Sequence, residues 1–376
     1  MGCLLLCALC SVSVARDPQL VDALAHAGEN RPEMEKALRD CPTAERPGVE
    51  FLIVNMPDAD RKSLLADFLL TNTHLAYLAR ERTPWGKSIP MDLFLNDVLP
   101  YANVDEKRDP WRQEFFNLCM PLVKGCQTPA EAARKLNGEL FGKLKLKYST
   151  RRRTPNQSAR ESIRLGLASC TGLSIVLADA CRAVCVPARL AGTPLWSSNR
   201  GNHTWVEVWD KGWHFTGAGE QDPHGLDHGW FVGEAAQAQK DSFEHAIYAA
   251  SFRRGNIHFP LVWAMNNRDV PAVNVTDRYA RRKKAPADIV RLLVRVVGPD
   301  GSRVAEKVRV VADPNSKGAV SLDGLSRGET ADTNDILGFD LKRGVQVIIS
   351  VAGVQRKLVT SATGSEQWVE VAVPNK

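Results

Sequence analysis

The strongest local constraint on this chain is a helix, a tight exit and a hairpin written within fifty residues. Leu173, Leu177, Ala180 and Val184 recur at helical spacing and predict one buried stripe, with Ser169 as the N-cap and Cys170 in the first turn. Cys185-Val186-Pro187-Ala188-Arg189-Leu190 ends that helix and opens a strand. Asn202-His203-Thr204-Trp205-Val206-Glu207-Val208-Trp209 then alternates. It places His203, Trp205 and Glu207 on one face and Thr204, Val206 and Val208 on the other. Asp210-Lys211-Gly212 is a three-residue turn, and Trp213-His214-Phe215-Thr216 returns. The segment reads as a helix, a strand and an antiparallel hairpin.

A thiol at a helix start faces the positive end of the dipole and unpaired backbone amides. Both favour negative sulfur, the nucleophilic form, and the same amides can receive an oxyanion. A histidine at the start of the following strand is a candidate base for that thiol.

The rest of the chain is organised around this segment. Residues 16–145 read as mostly helical, with helical groups at Leu64–Ala79, Met91–Leu99, Trp111–Leu118 and Ala130–Leu144, the last opened by Thr128-Pro129. Phe51–Val54 suits either a strand or the opening of a helix. Residues 146–273 form the α+β core, and the charged, apolar-poor stretch 274–287 reads as a linker. Residues 288–376 carry short strands between Gly-rich turns and predict a small β-sandwich. The expected fold class is therefore α+β, in three parts.

Residues 1–15 are apolar and too short to span a bilayer, and Ser13 and Ala15 suit a signal-peptidase site, although no Lys or Arg precedes the apolar run. Export to the periplasm or cell envelope is the expectation, with envelope association but no integral membrane segment. The net charge of +6 includes the runs Arg151–Arg153 and Arg281–Lys284, which lack interleaved aromatics and read as solvated loops, so no nucleic-acid partner is expected. Cys181 and Cys185 read as packed helix residues, and no Cys pair outside the leader shows CxxC spacing. His214, His224, Asp227 and His228 have no regular ligand spacing, so neither a metal nor another cofactor is expected. Asn202-His203-Thr204 matches a glycosylation pattern that would cover the candidate base, and chance explains it better.

Cys at a helix start, the Val-Pro-Ala-Arg exit and His-x-Trp-x-Glu-Val with Gly-Trp on a hairpin resemble the transglutaminase-like superfamily, over residues 148–231. The resemblance implies a papain-like core with a Cys-His-Asp triad, here Cys170 and His203. The family's acid usually follows the second-strand Trp as Trp-x-x-x-Asp, and that position is Gly217. Glu220 and Asp222 both remain candidates for the acid, with Asp227 less well placed. An upstream side chain supplies an oxyanion donor in the family, which points to Gln157 or Tyr148. Trp205, among several clustered tryptophans, is a candidate cleft wall as well as a core residue. The implied chemistry is thioacyl transfer on a peptide or protein amide. Hydrolysis is the default, since water is always present and no cluster of amine-binding carboxylates stands out; transamidation is the other outcome. A binding or envelope-structural protein that has lost the chemistry is the competing reading. The C-terminal part, with Val-x-Gly-Pro-Asp-Gly and Asp340–Val345, resembles carboxypeptidase-regulatory-like sandwiches, which implies a spacer or adhesion module.

Overall fold

The computed structural model describes residues 17–280, 286–315 and 318–374. The leader and the second basic run lie outside the described residues. The chain divides into two compact units whose boundary falls after His74, within the helix Ala66–Arg82.

In the first unit the helices Pro18–Ala25, Arg31–Asp40 and Arg46–Asn55 bury Leu20, Leu24, Met34, Leu38, Leu52 and Ile53. Asp17 caps the first of them, its carboxylate accepting from the Gln19 N–H at 2.9 Å, with Pro18 at the first helical position. Phe51–Val54 belongs to the third helix, because its apolar residues are buried in helical register instead of alternating.

In the second unit the helix Cys170–Ala183 is buried all round. It packs between the helices Arg112–Leu122 and Pro129–Leu144 on one side and the sheet on the other. Thr128 caps the helix Pro129–Leu144 through the Glu131 N–H. The sheet has six strands in the spatial order Trp213–Thr216, His203–Trp209, Ala188–Thr193, Tyr248–Ala250, Pro271–Asn274 and Ile257–His258, every neighbouring pair antiparallel. Trp209 pairs with Trp213 across the three-residue turn, and Lys211 takes its left-handed conformation at φ 59°.

The first part of the predicted linker belongs to this core. Residues 271–274 are a strand, Thr276–Tyr279 is a helical turn, and Val275 and Tyr279 are buried. The stretch is poor in apolar residues because much of its work is polar. Tyr279 accepts a hydrogen bond from Trp205 Nε1 at 2.8 Å and donates to Glu207 Oε1 at 2.8 Å, while Arg278 pairs with the same carboxylate. Arg189 completes the network from the neighbouring strand at 2.8 Å. With these partners the buried Glu207 charge is stably held.

Residues 289–372 form a seven-stranded sandwich. One sheet runs Val320–Leu325, Lys307–Ala312, Gln346–Val351, Val354–Val359, and the other Leu337–Lys342, Ile289–Val297, Glu366–Ala372. The two inner faces share a core of Leu292, Val294, Val310, Phe339, Ile349 and Val371. The loop 326–336 crosses from one sheet to the other. It leaves the sandwich and reaches the α+β core.

Cys119, Cys181 and Cys185 are buried free thiols, and burial pushes each thiol up to about 12 or beyond, where it is inert at neutral pH. No helix among the described residues is long and apolar enough to cross a membrane.

Candidate active site

The strand and the helix predicted to carry the chemistry meet at their ends. Ser169 caps the helix by accepting from the Gly172 N–H at 3.0 Å, which leaves Cys170 as the first helical residue, partly exposed. Thr171 donates to Thr204 Oγ1 at 3.0 Å and Ser174 donates to the Thr204 carbonyl at 3.2 Å. These two bonds dock the first turn of the helix on the strand, beside His203. Thr204 therefore faces the helix and His203 the opposite side, as the alternation predicts.

His203 is 1% exposed and enclosed by aromatic rings, with Trp230 at 4.6 Å, Phe231 at 5.1 Å and Trp205 at 5.9 Å between ring centres. Two carboxylates flank its imidazole on opposite nitrogens. Glu220 Oε2 lies 3.9 Å from Nε2, and Asp332 Oδ2 lies 3.5 Å from Nδ1. One polar atom each of Cys170, His203 and Asp332 lie within 4.8 Å of one another. Burial alone would lower the affinity of His203 for its proton, but Asp332 and Cys170 outweigh it and hold the imidazole well above its usual value. Asp332 is 1% exposed, and although burial raises it, contact with His203, the Asn334 N–H and Cys170 brings its carboxyl below the ordinary value. Burial drives Glu220 the other way, up to about 7, with the His203 charge and the Trp230 N–H opposing the rise.

Glu220 reaches the ring from just past the end of the hairpin. Its Oε2 accepts from Trp230 Nε1 at 2.8 Å. Asn137 shapes the turn before it. The Asn137 amide donates to Thr216 Oγ1 at 3.0 Å and to the Gly217 carbonyl at 2.8 Å, and its oxygen accepts from the Gly219 N–H at 2.8 Å.

The other sequence candidates sit elsewhere. Asp222 is turned to His224, accepting from its N–H at 2.9 Å and meeting its Nδ1 at 2.9 Å, since a short Asx-type turn closes there. Asp227 pairs with His214 at 2.7 Å. Gln157 is fully buried, and both ends of its carboxamide are occupied: the oxygen accepts from the Arg153 N–H at 2.8 Å, and the nitrogen donates to the Leu167 carbonyl at 2.8 Å. It staples the loop ahead of the nucleophile. Trp205 is wholly buried in the core, stacked at 4.7 Å on Phe231, and walls no cleft. The phenol of Tyr148 senses the Cys170 charge but is bonded to Thr333 Oγ1 at 3.1 Å.

Asp332 had no counterpart among the sequence candidates. It lies in a different module, and only the docking of the sandwich brings it to His203.

Residues 117–218 match the family model described as the Transglutaminase-like superfamily. The matched span includes Cys170 and His203 and supports that superfamily for this segment. The chain is also similar in structure to red sea bream transglutaminase, at 10% sequence identity and a TM-score of 0.27. That similarity covers 78% of this chain and 59% of the fish protein. No curated protein matches the chain in sequence.

Proposed function

We propose that this protein is a cysteine enzyme acting by acyl transfer on amide bonds of peptides or proteins, with Cys170 as nucleophile, His203 as base and Glu220 as the acid that orients it. The observation that carries the reading is the arrangement around His203: the thiol at a helix start lies beside a buried imidazole, and a carboxylate held by Trp230 lies 3.9 Å from its Nε2. A ring so flanked can take the thiol proton and return it.

In the proposed reaction His203 holds the proton of Cys170, and sulfur attacks the carbonyl carbon. The carbon–nitrogen bond breaks, the amine leaves with the proton from His203, and a thioester remains. Water, deprotonated by His203, attacks that thioester; the acid departs and sulfur recovers its proton. The amides at the start of the helix Cys170–Ala183 are positioned to receive the oxyanion. An amine in place of water would make the product a new amide, and hydrolysis is our primary reading because water is always present.

The test is the rate at which iodoacetamide modifies Cys170, followed by peptide mass spectrometry in wild type, His203→Ala and Glu220→Gln. A rate that depends on His203 supports an assembled pair and justifies assays for peptide hydrolysis and amine incorporation. Ordinary thiol reactivity in all three proteins would instead favour a binding module that has kept only the fold.

A further inference from the structure

The end of the first basic run, Arg153, borders a cavity that the thiol chemistry does not use. It has a volume of about 620 Å³ and lies between the loop 103–111, the loop 149–158 and the helix Ala159–Leu165. That is room for several residues of a peptide. Its walls are fixed by polar contacts. Glu106 accepts from the Asn103 N–H at 2.6 Å and the Val104 N–H at 2.7 Å, which turns the first loop. Asn156 Nδ2 donates to Asp105 Oδ1 at 3.0 Å and ties the two loops together. Arg153 pairs with Glu161 at 2.9 Å, and Arg160 with Glu114 at 2.5 Å.

What is left unpaired points to a ligand. Lys107 and Arg164 line the cavity from different elements, are exposed, and neither meets a carboxylate among the described residues. Asp109 lines it too, only 7% exposed, and its Oδ2 has no hydrogen-bond partner. A buried carboxylate without a donor costs free energy that an incoming N–H would recover. An occupant that suits all three groups carries carboxylates for the two cations and a donor for Asp109. A peptide with acidic side chains has both, its backbone amides being the donors. Inorganic phosphate would fill a fraction of the volume and set a second anion against Asp109. A nucleic acid would bring a row of phosphates past the same carboxylate, and no aromatic side chain lines the cavity to stack a base.

We propose that this cavity is a binding site for an acidic segment of a polypeptide partner. Lys107 and Arg164 take its carboxylates, and Asp109 accepts one of its backbone N–H groups. The site goes beyond the thiol chemistry and does not depend on it, although the two share a wall: the Pro155 carbonyl, in the loop 149–158, accepts from Ser169 Oγ, next to Cys170.

The experiment is fluorescence anisotropy of a fluorescein-labelled octaglutamate peptide with the full chain. The net charge of +6 draws any polyanion, so two double variants are compared. Lys107→Glu with Arg164→Glu reverses the rim of the cavity. Lys211→Glu with Lys357→Glu makes the same change in net charge at exposed positions that do not line it. The expected result is saturable binding whose Kd rises at least ~10-fold in the first and less than ~2-fold in the second. Absent binding, or an equal loss in both variants, would overturn the site. Displacement of the peptide by inorganic phosphate at matched ionic strength, or tighter binding of a labelled thymidine octanucleotide, would overturn the peptide as its occupant. Each of these failures leaves the reading of Cys170 and His203 standing, because that reading is tested by thiol modification and not by peptide binding.

Discussion

Glu220 occupies the space that a side chain at position 217 would need: a Cβ added to Gly217 would stand 2.6 Å from Glu220 Oε2. The acid expected after the second-strand Trp is missing from its position, and a carboxylate three residues further on folds back to fill it. Moving the acid along the chain required a turn at Gly217–Gly219, which Asn137 ties down from the neighbouring helix.

This predicts an exchange. Glu220→Gln keeps the shape and removes the charge, and turnover should fall by about 10²–10⁴. Glu220→Ala should fall as far, and adding Gly217→Asp should recover a substantial part of the loss. The measurement is kcat on a peptide amide for the three variants; no recovery in the double variant would show that Glu220 acts by something other than its place beside Nε2.

Trp230 gives a prediction in pH. Burial brings the Glu220 carboxyl up to about 7, and the Trp230 N–H works against that rise by stabilising the anion. If the ionised form orients His203, activity should decline as pH falls through about 7. Trp230→Phe keeps the ring over His203 but removes the donor, so the acid limb of the profile should move to higher pH. A limb that stays in place or moves down would separate it from Glu220.

The helix, its cap and the hairpin were legible in the sequence because each depends on neighbours in the chain: Ser169 on Gly172, Trp209 on Trp213. The pair Cys170 and His203 followed from those elements. Which of Glu220 and Asp222 lies beside His203 did not, because it turns on Asn137, which fixes the direction of a short loop from a helix distant in sequence. Trp205 misled, because a buried amphipathic side chain and a cleft residue look alike until the polar atom is assigned, here to Tyr279. Asp332 carried no signal in sequence, since its place depends on how one module lies on another.

The contact of sandwich and core at Glu366 should make stability depend on pH. Burial, with a hydrogen bond to Glu234 assisting, raises the Glu366 carboxyl to about 7, against the pull of Arg200. The folded state holds this proton more tightly than the unfolded chain does. Its contribution is complete below about 4.5 and is lost as pH rises through about 7, a change on the order of 2 kcal/mol. Thermal unfolding of wild type should therefore show a decline in Tm between pH 5 and 8 that Glu366→Gln reduces. Parallel curves for the two proteins would assign the decline to other groups.

Asn137 tests whether placement of the acid, rather than its mere presence, governs the site. Its side chain makes three bonds to 216–219, and none of its atoms is among those that meet His203. Asn137→Ala leaves buried partners unsatisfied, which costs about 1–3 kcal/mol and lowers Tm by several degrees. A purely structural role would stop there, with kcat unchanged well below the melting range. A positioning role predicts more: with the turn loosened, Glu220 drifts from Nε2, and kcat falls by about tenfold or more while KM stays near its wild-type value. Asn137→Asp keeps one acceptor for the Gly219 N–H but loses the donors to Thr216 and Gly217, so its kcat should remain low. Glu220→Gln in the Asn137→Ala background completes the argument, because an acid already out of position has little left to lose. The double variant should be scarcely slower than Asn137→Ala alone, and a full additional loss would show that Asn137 supports the fold without directing the acid.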